Sequence, residues 1–96
     1  MSDVSVRHLG PHEYAVTVRE SQNAVATDHQ VTVDDQLIDD MGLVDVDQQM
    51  EIDLVRESID FLLDRETATS IGHSFTLSDL SATYPDYQDE LRARLS

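Results

Sequence analysis

The chain has 96 residues, and its 20 acidic side chains against six basic ones give a formal net charge of −14. Cysteine is absent, which excludes a disulfide framework, a thiolate metal site and a cysteine nucleophile. A chain of this length predicts a single domain over residues 1–96, with enough apolar residues for a mostly aliphatic core.

The first 33 residues or so alternate between apolar and polar side chains, which is typical of strands with one buried face. The predicted strands cover 4–8, 14–19 and 29–33, separated by the Gly10-Pro11 turn and by the polar segment 20–28. Three stretches rich in β-branched residues, joined by turn residues, predict an antiparallel meander.

The period becomes helical at Asp34, which is predicted to cap a short helix over 34–41 that ends before Gly42. The main helix is predicted over 48–65, with Asp45 or Asp47 as its N-cap. Its apolar residues recur every three or four positions and predict one buried stripe. That stripe contains Ile52, Val55, Ile59 and Leu62, widened by Leu54, Phe61 and Leu63.

The last third of the chain predicts shorter elements. Ser70-Ile71 indicates a turn or a short helix towards Phe75. Thr76 and Asp79 have the spacing of a capping box for a helix that Pro85 ends, and Pro85 is also predicted as the first residue of the final helix. The apolar positions of that helix recur every four residues, at Tyr87, Leu91 and Leu95.

Together these elements predict an α+β fold. An N-terminal antiparallel β-meander of about three strands, within about 1–33, is covered on one face by a main helix and three shorter helices within about 34–96. No internal repeat or linker divides the chain.

The basic residues are all arginine, and lysine is missing. Residues 1–48 contain ten acids and two arginines, and residues 49–96 contain ten acids and four, so the charge is spread evenly. In multimolar salt the Debye length falls to about 3 Å, and surface carboxylates stop repelling one another. Abundant acids without lysine therefore predict a halophile's protein. No signal peptide or membrane-length apolar run is visible, which predicts a cytoplasmic location.

Few residues suggest a catalytic or metal-binding site. His8 and His12 flank a turn and could bind a metal with His29, but two surface residues beside a turn explain the pair as well, and His73 lacks a nearby second ligand. We therefore predict no metal site, no catalytic residues and no cofactor.

Pairs of aspartates suggest a cation site or paired catalytic carboxylates, but in a chain with 20 acids the pattern favours helix caps and solvated surface. The pairs are Asp34/Asp35, Asp39/Asp40 and Asp45/Asp47. A calcium loop starting at Asp45 fails, because its sixth position is Met50 instead of glycine and its twelfth is Arg56 instead of glutamate. Glycine-rich phosphate loops and common hydrolase motifs are absent from the sequence.

One segment resembles the ribbon-helix-helix repressors and antitoxins. The resemblance lies in the order of a strand (29–33) and two helices (34–41 and 48–65). It implies a dimer whose paired strands enter the major groove of DNA, with Gln30 and Thr32 contacting the bases.

A broader resemblance spans about residues 30–95. It rests on Val31-Thr32-Val33-Asp34-Asp35, Leu54-Val55-Arg56-Glu57-Ser58, Phe61-Leu62-Leu63-Asp64-Arg65-Glu66, Ser70-Ile71, Phe75 and Tyr84-Pro85-Asp86-Tyr87. These pieces resemble small, functionally uncharacterised proteins of haloarchaea and some actinobacteria, and the resemblance implies no site residues.

The sequence therefore favours a small structural or protein-interaction module that is not an enzyme. Its predicted partner is an unknown protein or a second copy of the chain. Nucleic acid is less favoured, because the predicted strand 29–33 carries no basic residue and phosphates need cations.

Overall fold

The computed structural model describes residues 3–19 and 25–95, so residues 20–24 of the predicted polar segment lie outside the described part. The fold is α+β, as predicted. Its elements in chain order are β1 (Asp3–Gly10), β2 (Glu13–Arg19), β3 (Thr27–Thr32), α1 (Asp35–Met41), α2 (Gln48–Leu63), a 3-10 turn (Ala68–Ser70), β4 (Ser74–Thr76), α3 (Leu77–Thr83) and α4 (Tyr87–Leu95).

The strands form one sheet in the order β1-β2-β3-β4. The first three strands are antiparallel neighbours, which confirms the predicted meander. β4 pairs in parallel with β3, where the sequence predicted only a turn or short helix towards Phe75. Parallel neighbours need a long crossover, and the segment containing α1 and α2 provides it.

One face of the sheet forms the core. Tyr14, Val16 and Val18 of β2 are fully buried, and they alternate with side chains on the opposite face. In the register of β2 and β3, Tyr14 lies opposite Val31 and Val16 lies opposite His29. The helices therefore cover the face that the alternation predicted as apolar.

The helix termini differ in how they are capped. Asp47 caps α2, because its side chain accepts the N–H of Met50 at 2.8 Å. Asp34 precedes α1, but its carboxylate accepts the N–H of Ser78 at 3.1 Å and so joins the starts of α1 and α3. Gly42 ends α1 with φ at 69°, the left-handed conformation predicted for it.

Helix α2 packs against the sheet and against α4. Leu54, Val55, Ile59, Phe61 and Leu62 are buried, which confirms the centre of the predicted stripe. The ring of Phe61 meets the rings of Tyr84 and Tyr87 edge-on, at centroid distances of 5.4 and 5.3 Å.

Two boundaries differ from the sequence prediction. Helix α2 ends at Leu63. Arg65, predicted inside the helix, instead places its guanidinium 3.8 Å from the ring centroid of Phe61. Helix α4 begins at Tyr87, so Pro85 lies in the preceding turn and is not the first helical residue. Among the described helices, none has the length and apolar character needed to cross a bilayer.

Candidate functional site

The β1–β2 hairpin and the first turn of α2 meet at a carboxylate cluster, defined here as His12, Tyr14 and Glu51. The Glu51 side chain is buried, with one carboxylate oxygen 2.5 Å from Nδ1 of His12. Its other oxygen accepts the hydroxyl of Tyr14 at 2.6 Å. A buried carboxylate is costly unless it is hydrogen-bonded, and both oxygens here have a donor.

The cluster changes the acid–base behaviour of its members. The hydrogen bond to Glu51, followed by the negative charge of Glu51, raises the pKa of His12, and Asp35 adds to the effect. Burial, then the hydrogen bond to Glu51, raises the pKa of Tyr14, so its hydroxyl stays protonated and donates. Below its raised pKa, His12 is an imidazolium that pairs with the carboxylate.

His12 holds this position through an unusual backbone. Its φ is 61°, in the left-handed region, and its carbonyl accepts the N–H of Val33 at 2.8 Å. The His12 side chain is 53% exposed, and the Glu51 side chain is 7% exposed. The cluster therefore joins an exposed turn to the interior, and we interpret it as an anchor between the hairpin and α2.

The structure does not unite His8, His12 and His29. His8 is exposed, with its ring centroid 5.4 Å from that of Tyr14. His29 is buried in β3, donating from Nδ1 to the carbonyl of Gly72 at 2.8 Å and accepting from Thr27 at Nε2. The ring of His73 stacks on that of His29 at 6.2 Å. Within residues 3–19 and 25–95, three or more metal-binding side chains do not come together anywhere.

The aspartates mostly serve local structure. Asp47 and Asp34 bond backbone N–H groups, as described above. Asp35, Asp39, Asp40 and Asp45 are exposed, and Asp45 has φ at 54°. The sequence prediction that caps and surface explain the aspartate pairs agrees with these positions.

The ribbon-helix-helix hypothesis is wrong for this chain. β3, which would have been the DNA-reading ribbon, lies between β2 and β4, and its segment Gln30–Thr32, with the two residues expected to contact bases, is paired on both sides. The N–H of Gln30, for example, donates to the carbonyl of His73 at 2.7 Å. A strand paired on both sides cannot pair with a dimer mate.

A cleft of about 220 Å³ lies beside the end of α2, lined mainly by apolar side chains. Its lining includes Leu62, Ile71, Phe75, Leu80, Glu66, Asp79 and Tyr84. The two acids already have internal donors: the hydroxyl of Tyr84 bonds Glu66, and the backbone N–H of Thr76 bonds Asp79. The polar groups of the cleft are therefore satisfied by the protein itself.

Within the described part of the chain, the sheet face turned away from the helices is uncovered. It is defined here as the open face, and its side chains include Asp3, Ser5, Arg7, Leu9, Ala15, Thr17, Arg19, Asp28 and Gln30. Most of these residues are exposed, including Leu9 at 48%. β1 also forms an edge of the sheet, because the described strands pair only with its β2 side.

The arginines of the open face differ from two arginines of the helical layer in their ion pairs. On the helical side, Arg65 pairs with Asp86, and Arg94 pairs with Asp64 at 2.6 Å. On the open face, neither Arg7 nor Arg19 forms an ion pair with a described residue. Two exposed guanidinium groups thus project from an otherwise strongly acidic molecule.

Sequence reasoning missed Glu51 as a buried residue. Glu51 is in the first turn of α2, and it lies three, four and seven residues before Leu54, Val55 and Ser58, all of which are buried. This spacing places Glu51 on the apolar stripe. A charged residue at the helical spacing of the core residues was therefore the signal in the sequence that Glu51 is buried.

Comparisons with protein-family models, with curated proteins and with solved structures gave no match.

Proposed function

We propose that this chain is a non-enzymatic protein-interaction module that binds an extended polypeptide segment beside β1. The observation that carries the proposal is the free edge of β1, a strand of eight residues with an exposed face. An unpaired edge presents a row of backbone donors and acceptors on which another strand can add. The opposite edge, β4, has only three residues and leads directly into α3.

The side chains beside that edge define the partner's chemistry. Val4 and Val6 lie on the core face and are only half-buried, so a β-branched residue placed next to them would extend the apolar layer. Arg7 lies on the open face without an ion-pair partner among the described residues. The partner is therefore a segment that alternates β-branched and acidic residues.

The proposed setting is the cytoplasm of a halophile. The support is compositional: 20 acids, six arginines and no lysine. In molar salt, long-range attraction between charged surfaces is screened, and apolar contact and backbone pairing remain. Strand addition suits that solvent, because it depends mainly on hydrogen bonds and burial.

The test is a binding experiment with a defined probe. The probe is a capped eight-residue peptide in which a β-branched residue, valine or threonine, alternates with aspartate. It is titrated into the isotopically labelled protein in molar KCl. We expect amide shifts along β1 and on the open face. Arg7→Gln should weaken binding by about fivefold, because one cross-strand ion pair is lost.

Arg92→Gln is the matched control, since it removes an arginine from an exposed position of α4, where Arg92 bonds the carbonyl of Asp40, and leaves the residues of β1 unchanged. Peptide shifts confined to the helices would contradict the proposal. Equal weakening by Arg7→Gln and Arg92→Gln would also contradict it, because the peptide would then be sensing only net charge.

A further inference from the structure

The side chains of β1 are complementary to the same strand in a second molecule. The strand reads Asp3, Val4, Ser5, Val6 and Arg7 before its irregular end between His8 and Gly10. Asp3 and Arg7 lie at the two ends of this segment, Val4 and Val6 lie between them, and Ser5 is at the centre. The valines thus alternate with polar residues, and Asp3 supplies the acid that Arg7 of another copy could pair with.

Antiparallel pairing about Ser5 matches every position. In that register, Asp3 lies opposite Arg7 of the second copy, Val4 lies opposite Val6, and Ser5 lies opposite itself on the two-fold axis. Opposite charges and β-branched pairs are the favourable cross-strand combinations. The two-fold symmetry makes the Asp3–Arg7 pair and the Val4–Val6 pair each occur twice, as in an isologous interface.

The neighbouring registers that keep the same faces aligned are less complementary. Pairing about Val4 or Val6 places Asp3 opposite Ser5 or Leu9, respectively, and leaves the acid without a cation in the second copy. Pairing about Arg7 places two arginines opposite each other, which is destabilising. A shift by one residue would place the two helical layers on opposite faces of the joined sheet, and the valines of one copy would then lie beside open-face residues of the other.

The same register agrees with the fold. It places Val4 and Val6 of both copies on the helix-covered side, where each is only half-buried in one molecule. It places Asp3 and Arg7 of both copies on the open face, where Arg7 has no ion-pair partner among the described residues. The two sheets become continuous, and the two helical layers lie side by side.

We infer that the occupant of the β1 edge is a second copy of this chain, paired antiparallel about Ser5. The inference rests on the strand-addition function proposed above. The apolar pairs lie under the helices, and the two ion pairs between Asp3 and Arg7 of the other copy lie on the open face. The chain is thus a homodimer with a two-fold axis perpendicular to its sheet.

The test is a charge exchange measured by sedimentation equilibrium, in KCl at a concentration where circular dichroism shows the folded protein. Asp3→Arg and Arg7→Asp, made separately, each place like charges together twice in the dimer and should raise the dimer dissociation constant about tenfold or more. The double variant restores opposite charges in reversed order, so it should recover most of the wild-type affinity.

Asp3 also lies opposite Arg19 within the same chain, so Asp3→Arg affects the monomer as well. The thermal midpoint of each variant in dilute solution separates this intramolecular effect from dimerisation. Arg92→Asp in exposed α4 makes the same charge change as Arg7→Asp and should leave the dissociation constant within about twofold.

A monomer at all concentrations overturns the second-copy inference. A dimer that both single variants weaken and the double variant fails to restore overturns the register. The peptide titration tests the proposed strand-addition function separately. If the protein is monomeric and binds the peptide along β1, strand addition is retained and only the second-copy inference is wrong. If it is monomeric and does not bind the peptide, both proposals are wrong.

Discussion

Glu51 is a charged residue at a helical position that belongs to the core. Its carboxylate is accommodated because Tyr14 and His12 each donate to one of its oxygens. His12 is half-exposed, and it is the residue that binds a proton beside the buried carboxylate of Glu51. At the scale of single residues, this cluster therefore makes the pH dependence of stability predictable.

Stability should decrease as the pH rises through the raised pKa of His12. The pKa of His12 is higher in the folded chain than its ordinary 6.5, because the protonated ring pairs with Glu51. The contribution is complete below pH 6.5 and is lost above the folded pKa. It should not exceed about 1 kcal/mol, since half of the His12 ring is in water.

Glu51→Gln tests this cause directly. Proton NMR of the His12 ring should show its pKa falling towards 6.5 in the variant. Glu57→Gln, on the same helix but beside Arg94, is the matched control and should leave the His12 titration in place. An unchanged His12 titration in Glu51→Gln would show that the pairing does not exist.

Tyr14→Phe removes one of the two donors to the buried carboxylate and leaves the ring in place. We expect a loss of about 1–3 kcal/mol in the free energy of unfolding, measured by urea denaturation, because one oxygen of Glu51 is left unpaired. Tyr84→Phe is the comparison. It also removes a hydroxyl bonded to a glutamate, but Tyr84 is half-buried, so water can replace it at lower cost.

At the scale of secondary-structure elements, α2 connects the sheet to the remaining helices. Its buried face contacts β1, and its other flank packs on α4 through Ser58, which bonds the hydroxyl of Tyr87 at 2.6 Å. Replacing core residues of this helix should therefore affect both layers.

Ile59→Ala and Phe61→Ala should each cost about 2–5 kcal/mol in the free energy of unfolding, because both side chains are almost fully buried. Arg56→Ala, at an exposed position of the same helix, should change stability by about 0.5 kcal/mol or less. Urea titrations of the three variants measure the difference. A cost below about 1 kcal/mol for Ile59→Ala would mean that the assigned buried face is incorrect.

The elements that could be predicted from the sequence are those whose signals are local. One example is the alternation of buried and exposed side chains through Tyr14, Val16 and Val18. Another is the left-handed backbone conformation of Gly42. Both depend on backbone geometry and on neighbouring residues. β4 could not be predicted in the same way. Its three residues are too few to show a period, and their strand conformation depends on pairing with β3.

The site was harder to predict than the fold for the same reason. His12 and Glu51 lie 39 residues apart, and neither has a neighbour in sequence that indicates the other. The open face could be anticipated from the polar half of the β1 and β2 alternation. The lack of an ion pair between Arg7 and any described residue could not.

At the scale of the whole molecule, the even distribution of the −14 charge predicts salt dependence. In millimolar KCl the carboxylates repel one another across the surface and oppose compaction, and in molar KCl this repulsion is screened. Far-ultraviolet circular dichroism should therefore lose helical signal as KCl falls from molar to millimolar concentration. Potassium glutamate at equal ionic strength is the control for ion identity. Identical spectra at both extremes would exclude an obligate requirement for salt.

The parallel pairing of β3 with β4 also has a consequence for the order of folding. Gln30 lies opposite Ser74, so the sheet is completed only after the whole segment with α1 and α2 has been synthesised and brought back. Contacts this distant in sequence form late, because loop closure must precede them. Until then, the nascent meander exposes the six-residue edge of β3. Afterwards β4 covers the half of that edge at Gln30–Thr32, so the last stage of folding shortens the β3 edge on which a growing chain can aggregate.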